Sequence, residues 1–225
     1  MEKRFTLEQK IFYIMAFIGG AMGGFATLRT GVLGSAQTSN LVELAIAIVG
    51  CDLYHIALRV VAMILYALGV AIPHVINKCT DFNSKTAAVI IDIFGIIILG
   101  FMPEHLNAVI ALWPIFFIMS FQWNSFPGAR GYVSASIFST NNFRQAVIGL
   151  TDYTVCHDRK GLDRLLFFTG TLVSFHLGVM LCCILIKSFG FRAVWFFVIP
   201  ALAALPLIRK EQRENVPEAQ TDSDK

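Results

Sequence analysis

The side chains able to do chemistry in this chain are few, and most stand in apolar surroundings. The stretch RTGVLGSAQTSNLVE, from Arg29 to Glu43, carries Gln37, Thr38 and Asn40. The stretch RGYVSASIFSTNNFRQ, from Arg130 to Gln145, carries Thr140 and Asn142, with Gln122 and Asn124 shortly before it. Thr38 and Asn40 recur 102 positions later as Thr140 and Asn142. Amides and hydroxyls donate and accept hydrogen bonds without carrying charge, which suits a small polar or anionic solute. Asp92 stands in the middle of the apolar run VIIDIFGII. A carboxylate in such a place is costly and faces a cavity or a partner. It is either a coupling site for a proton or sodium ion or a structural acid paired with Arg29 or Arg130; the residues alone leave both open.

The patterns that would carry catalysis do not occur. There is no HExxH, GxSxG or Walker sequence, and the 5 histidines are scattered, so the expectation is that the chain is not an enzyme. Cys51, Cys79, Cys156, Cys182 and Cys183 form no CxxC and no Cys/His ligand spacing, so neither a metal nor a cofactor is expected. The vicinal pair Cys182 and Cys183 reads as small buried apolar residues. His176, inside an apolar run, reads as a hydrogen-bonded structural group.

Composition decides what must position these groups. Of 225 residues 56% are hydrophobic and 15% charged, with mean hydropathy +0.67. A soluble domain carries about 25% charged residues. Several near-charge-free runs reach the roughly 20 residues that span a bilayer, and they do not alternate as barrel strands would. The sequence therefore predicts an all-α, polytopic helical membrane protein. It has about six full spans, near Ile11–Leu28, Leu58–Ile76, Thr86–Met102, Asn107–Phe126, Leu165–Ile186 and Ala193–Ile208, the last kinked at Pro200. The opening MEKRFTLEQK leads into the first run without a small-residue cleavage site, which reads as a retained span. Gly19, Gly20, Gly23 and Gly24 make one face of that span nearly free of side chains, fit for close helix packing. The expected surroundings are the lipid bilayer. No nucleic-acid partner is expected, and a homo-oligomer is compatible with the sequence.

Each repeated stretch also reads as a helix start. Asn40 with Glu43, and Asn142 with Gln145, have the spacing of an N-cap and its capping-box partner. Each following helix would run about ten residues, or about 15 Å, which is half a bilayer. Either the polar residues only cap their own helices, or the two caps also face each other across a pseudo-symmetric cavity near the midplane. The spacing divides the chain into a first repeat half at 1–104, a second at 105–208, and a disordered polar cytoplasmic tail at 209–225. If the short helices re-enter without crossing, 14 of the 18 Lys and Arg residues are cytoplasmic and only Arg29, Arg59, Lys187 and Arg192 lie outside. If they cross, eight spans result, and Lys78, Lys85 and Arg130 move outside. The positive-inside rule favours six spans, with both termini cytoplasmic. Three spans per half make the repeats inverted, a common transporter architecture.

The two stretches together resemble the YoaK family, a group of bacterial integral membrane proteins classed as a domain of unknown function. Arg29, Gly31, Val32, Gln37, Thr38 and Asn40 match its first motif. Gln122, Asn124, Phe126, Gly131, Thr140, Asn142 and Arg144 match its second, and Asp92 stands where the family tends to carry an acid. The chain departs from the pattern at Ser39 and Asn141, which replace the central Gly of both T-G-N triplets. It also has Phe25 and Ala26 where relatives often carry an acid; if that acid binds a cation in relatives, the activity is lost or changed here. The resemblance implies about six spans and a bacterial cytoplasmic membrane, and implies no substrate. The expectation is a small secondary transporter or permease for a small polar or anionic solute. Its site would be Gln37, Thr38, Asn40, Gln122, Asn124, Thr140 and Asn142, between the two motifs. The alternative is a non-transporting membrane scaffold or accessory subunit.

Overall fold

The structure is a computed structural model and describes residues 6–215. Eight α-helices carry the fold: α1 (Leu7–Thr30), α2 (Gln37–Val49), α3 (Leu53–Cys79), α4 (Ser84–Phe101), α5 (Ala108–Ser125), α6 (Thr140–Thr154), α7 (Arg159–Phe189) and α8 (Val198–Asn215). A two-stranded hairpin, β1 (Gly128–Ala129) and β2 (Tyr132–Val133), stands between α5 and α6, and a 3₁₀ turn at Phe191–Phe197 leads into α8. Among the described residues six helices are long and apolar enough to cross a membrane: α1, α3, α4, α5, α7, and α8 with its 3₁₀ lead. Outward faces carry Val61, Ile64, Leu68, Phe94, Ile98 and Leu181 exposed. Such surface would drive aggregation in water and suits lipid. The chain is a multi-pass helical membrane protein.

The arrangement is a core ring with flanking helices. α1, α5, α4 and α8 pack each against the next around a closed circuit. α7 lies along α1, and α3 lies along α5; α2 folds back on α3 and α6 on α7. The glycine face of α1 explains its contact with α7. A Cβ on Gly20 would lie 1.9 Å from the Phe175 carbonyl oxygen, and one on Gly178 2.0 Å from that of Phe17. The two backbones touch reciprocally, as small residues allow. On the other flank, a Cβ on Gly69 of α3 would lie 1.9 Å from Ser120 Oγ of α5.

Contacts between helix ends fix which ends lie together. Arg29, at the end of α1, donates to the carbonyls of Met102 and Pro103 just after α4. At the opposite end Glu8 of α1 accepts from the Arg130 backbone, Arg130 pairs with Asp163 of α7, and Lys85 of α4 pairs with Glu211 of α8 at 2.8 Å. α8 is thus helical through Asn215, which corrects the disordered tail expected from 209. Its last turns are held because the buried Glu211 carboxylate needs the Lys85 ammonium. Residues 216–225 of that expected tail lie outside the described residues. The expected link from Cys51 to Ala57 is also shorter, because Asp52 caps the His55 amide and starts α3 at Leu53. Pro200 falls in the first turn of α8, directly after the 3₁₀ turn that runs into it at Val198, and a second proline, Pro206, lies inside the helix.

Candidate functional site

Asn40 and Asn142 are both 1% exposed, and neither is a cap. The N-caps are Ala36 for α2 and Ser139 for α6, and neither makes a side-chain cap bond. The helices start earlier than the capping box implies and are longer than expected, 13 and 15 residues, or about 20 and 22 Å. Being inside a helix, each Asn turns its amide into the protein instead. Asn142 Nδ2 donates to the carbonyls of Ala135 (2.7 Å) and Phe138 (2.8 Å), and its Oδ1 accepts from Ser134 Oγ at 2.7 Å. It fastens the extended segment that precedes its own helix. Asn40 Nδ2 donates to the Arg59 carbonyl on α3 at 3.1 Å.

The presumed box partners are also engaged elsewhere. Glu43 pairs with the Arg59 guanidinium, and Gln145 accepts from Arg164. The tie is the same in both places: an acceptor three residues after the Asn, met by an arginine on the following long helix. The sequence reading missed Arg59, Arg164, Ser134 and Ser136. An arginine set 16 or 19 residues after its acceptor, on the next helix of a short hairpin, is a signal that could have found the first two.

The segment before α6 enters the bundle deeply. A Cβ on Gly19, halfway along α1, would lie 2.3 Å from the Ser136 carbonyl oxygen. Gln122, fully buried on α5, holds this segment: its Nε2 donates to Ser136 Oγ at 2.8 Å and to the Met15 carbonyl at 3.0 Å. The segment is aimed inward by the tight hairpin, whose turn residues Arg130 and Gly131 have φ of 56° and 77°. Before α2, Gly34 packs against Leu112 and Ile115 of α5 and Ala26 of α1. Polar backbone at this depth is tolerated because protein covers it.

The remaining expected site residues scatter. Thr38 and Thr140 are exposed, and Asn124 is half-buried with its amide on the Ser120 carbonyl of its own helix. Gln37 is half-buried, with Oε1 enclosed and without a partner. Among the described residues the two motifs line different spaces. Asn40, Glu43 and Arg59 line a narrow space of about 40 Å³ with Thr30, Ser39 and Val109. At the other end, Gln145, Asp152, Lys160, Arg164, Tyr132 and Phe168 line an open cleft of about 470 Å³. Burial, and then the Asp163 carboxylate, push the Tyr132 phenol above its ordinary pKa, against the pull of Arg130 and Arg164.

Asp92 pairs with neither expected arginine. Arg29 is turned to the Met102 and Pro103 carbonyls and sits over the Phe25 and Phe191 rings at 5.8 and 5.5 Å. Arg130 faces Asp163 across the membrane-end surface. Both Asp92 oxygens are enclosed without a hydrogen-bond partner, as are Gln122 Oε1 and the Ser125 and Ser35 hydroxyls. Phe25 and Ala26 are fully buried apolar core. Of the two replaced glycines, Asn141 is exposed and Ser39 half-buried. Among the described residues no group of three His, Cys, Asp or Glu side chains could hold a metal ion.

No curated protein and no solved structure matches the chain. One family model covers residues 11–207, nearly the whole of it and both motifs, and by that match the chain belongs to the family described as Protein of unknown function (DUF1275).

Proposed function

We propose that the chain is a small secondary transporter or permease for a small polar or anionic solute, built from two inverted units, α1–α4 and α5–α8. The carrying observation is the exchange of partners between them: α7 of the second unit lies along α1, and α3 of the first lies along α5. Within each unit an inward-dipping segment and a short helix fold back on the long helix that follows. The repeated Arg59–Glu43 and Arg164–Gln145 ties support the same duplication. Internal inverted repeats with interrupted helices are how many transporters alternate access.

In this reading the two tied spaces are equivalent sites at opposite ends of the bundle. One is nearly shut, at about 40 Å³, and the other is open, at about 470 Å³. Rocking of one unit on the other along the α1–α5–α4–α8 ring would exchange the two states. Each end offers an amide and an arginine that faces a carboxylate of the protein, Glu43 on Arg59 and Asp152 on Arg164, so a solute carboxylate or another small oxyanion would bind by taking that partner's place. The expected single site between the motifs becomes two half-sites visited in turn.

The test is a stability screen of the purified protein against small anions, namely carboxylates, phosphate, sulfate and nitrate, followed by liposome uptake of any that stabilise. A stabilising anion whose effect disappears in Arg164→Gln, with folding retained, is the expected result. No stabilising anion, together with a stoichiometric co-purifying membrane protein, would replace transport by the accessory-subunit reading.

A further inference from the structure

We propose that Asp92, Gln122 and Ser125 form a binding site for one desolvated alkali cation inside the ring of α1, α5, α4 and α8. The first observation is a concentration of enclosed oxygens without partners. Both Asp92 carboxylate oxygens, Gln122 Oε1 and Ser125 Oγ are in this state, on residues 0%, 0% and 3% exposed. A buried acceptor left unmade is costly, and a buried ionised carboxylate more so.

The second observation is that helix register brings them together. α4 and α5 are antiparallel neighbours that meet where Gly95 faces Ile118. Phe94 and Ile98 of α4, with Pro114 and Phe117 of α5, line an apolar groove on the outer side of this seam. Three residues back from Gly95 is Asp92, and four residues on from Ile118 is Gln122. One helical turn in each direction puts them at the same level, and the 100° step per residue puts both on the inner side of the seam. Ser125 lies one turn further along the same face of α5. From α1, the Met15 carbonyl holds the Gln122 amide nitrogen, which leaves Oε1 as the free end. From α8, the register set by Lys85–Glu211 and by Trp195 on the Ile97 carbonyl brings the fully buried Ala201 and Ala204 to this level. Their side chains are small and carry no charge.

Charge chooses the ion. α5 carries no charged residue, and Lys85, two turns from Asp92 on α4, is committed to Glu211. One negative charge among neutral oxygens is balanced by one monovalent cation. A divalent ion would leave an uncompensated positive charge in a low-dielectric interior. Hard oxygen ligands suit an alkali ion. A proton alone satisfies two oxygens and leaves the others orphaned. As the coupling ion this cation gives the proposed transport its driving force and in that role rests on that reading, but its binding is measurable without any solute.

The experiment uses the full chain in detergent, comparing NaCl with choline chloride at equal ionic strength, with binding of radioactive sodium in parallel. Sodium at 100-fold over its Kd is expected to raise the unfolding midpoint by about 5–10 °C. Saturable sodium binding should vanish in Asp92→Asn, a near-isosteric change that relieves a buried charge and leaves the fold intact, and should weaken at least tenfold in Ser125→Ala. Equal midpoints in the two salts with no saturable sodium overturn the site and leave the proton as coupling ion, with the anion screen still standing. Sodium binding that survives Asp92→Asn overturns it too, since the ion then lies elsewhere. Sodium binding with no stabilising anion and with a stoichiometric co-purifying membrane protein keeps the site and removes the transport reading.

Discussion

At the scale of the residue, Asn40 and Asn142 were legible as special, but their task was not. Spacing alone assigns an Asn followed three residues later by Glu or Gln to a helix cap. Here the helices begin earlier, at Ala36 and Ser139, so both amides are carried into the interior and bond to other segments. The sequence held no sign of that shift, because the caps use no side chain. The difference has an energetic consequence. Asn142→Leu strands two carbonyls and the Ser134 hydroxyl, and at the usual cost of buried unmade bonds it should destabilise the protein by about 3 kcal/mol. Asn124→Ala removes only a bond within its own helix and should cost under about 1 kcal/mol. Denaturant unfolding in micelles compares the two, and similar costs would contradict the tether.

At the scale of the element, the spans were the most legible feature, because apolar length is written directly in composition. α4 and α5 were expected within two residues of where they lie at each end. α3 and α7 overran their expected starts, because Asp52 and Asp158 cap them further out than the apolar run begins. The close-packing role of the α1 glycines was legible too, although the partner, α7, was not: nothing local in Gly20 names a helix more than 100 residues away. Gly20→Val forces a side chain into the Phe175 backbone and should destabilise by about 3 kcal/mol or more, since two backbones cannot both yield. Gly50→Ala is the control. Gly50 has helical φ of −75° and no atom closer than 3.5 Å to an added Cβ, so the change should be neutral or stabilise by about 0.5 kcal/mol. Thermal unfolding of the three proteins orders them, and a Gly20→Val protein as stable as Gly50→Ala would show that α1 and α7 do not touch as described.

At the scale of the whole molecule, the decisive question is which ends of the helices share a side of the membrane, and native cysteines answer it. Cys51 sits in the turn between α2 and α3, at the end marked by Arg29 on the Pro103 carbonyl. Cys79 closes α3, and Cys156 lies between α6 and α7, at the end marked by Glu8, Arg130 and Asp163. All three are exposed. The second end gathers Lys78, Lys85, Arg130, Arg159, Lys160 and Arg164, so the positive-inside rule predicts that it faces the cytoplasm. Three single-cysteine proteins, with the other native cysteines changed to Ser, therefore have a fixed expected pattern with an impermeant maleimide. Cys51 labels in intact cells, while Cys79 and Cys156 label only after lysis. That pattern requires α2 and α6 to re-enter without crossing and places the two tied arginines on opposite sides, as alternating access needs. Labelling of Cys79 in intact cells, with Cys51 and Cys156 protected, would instead mean that both short helices cross, that the units are parallel, and that the narrow and wide spaces face the same compartment.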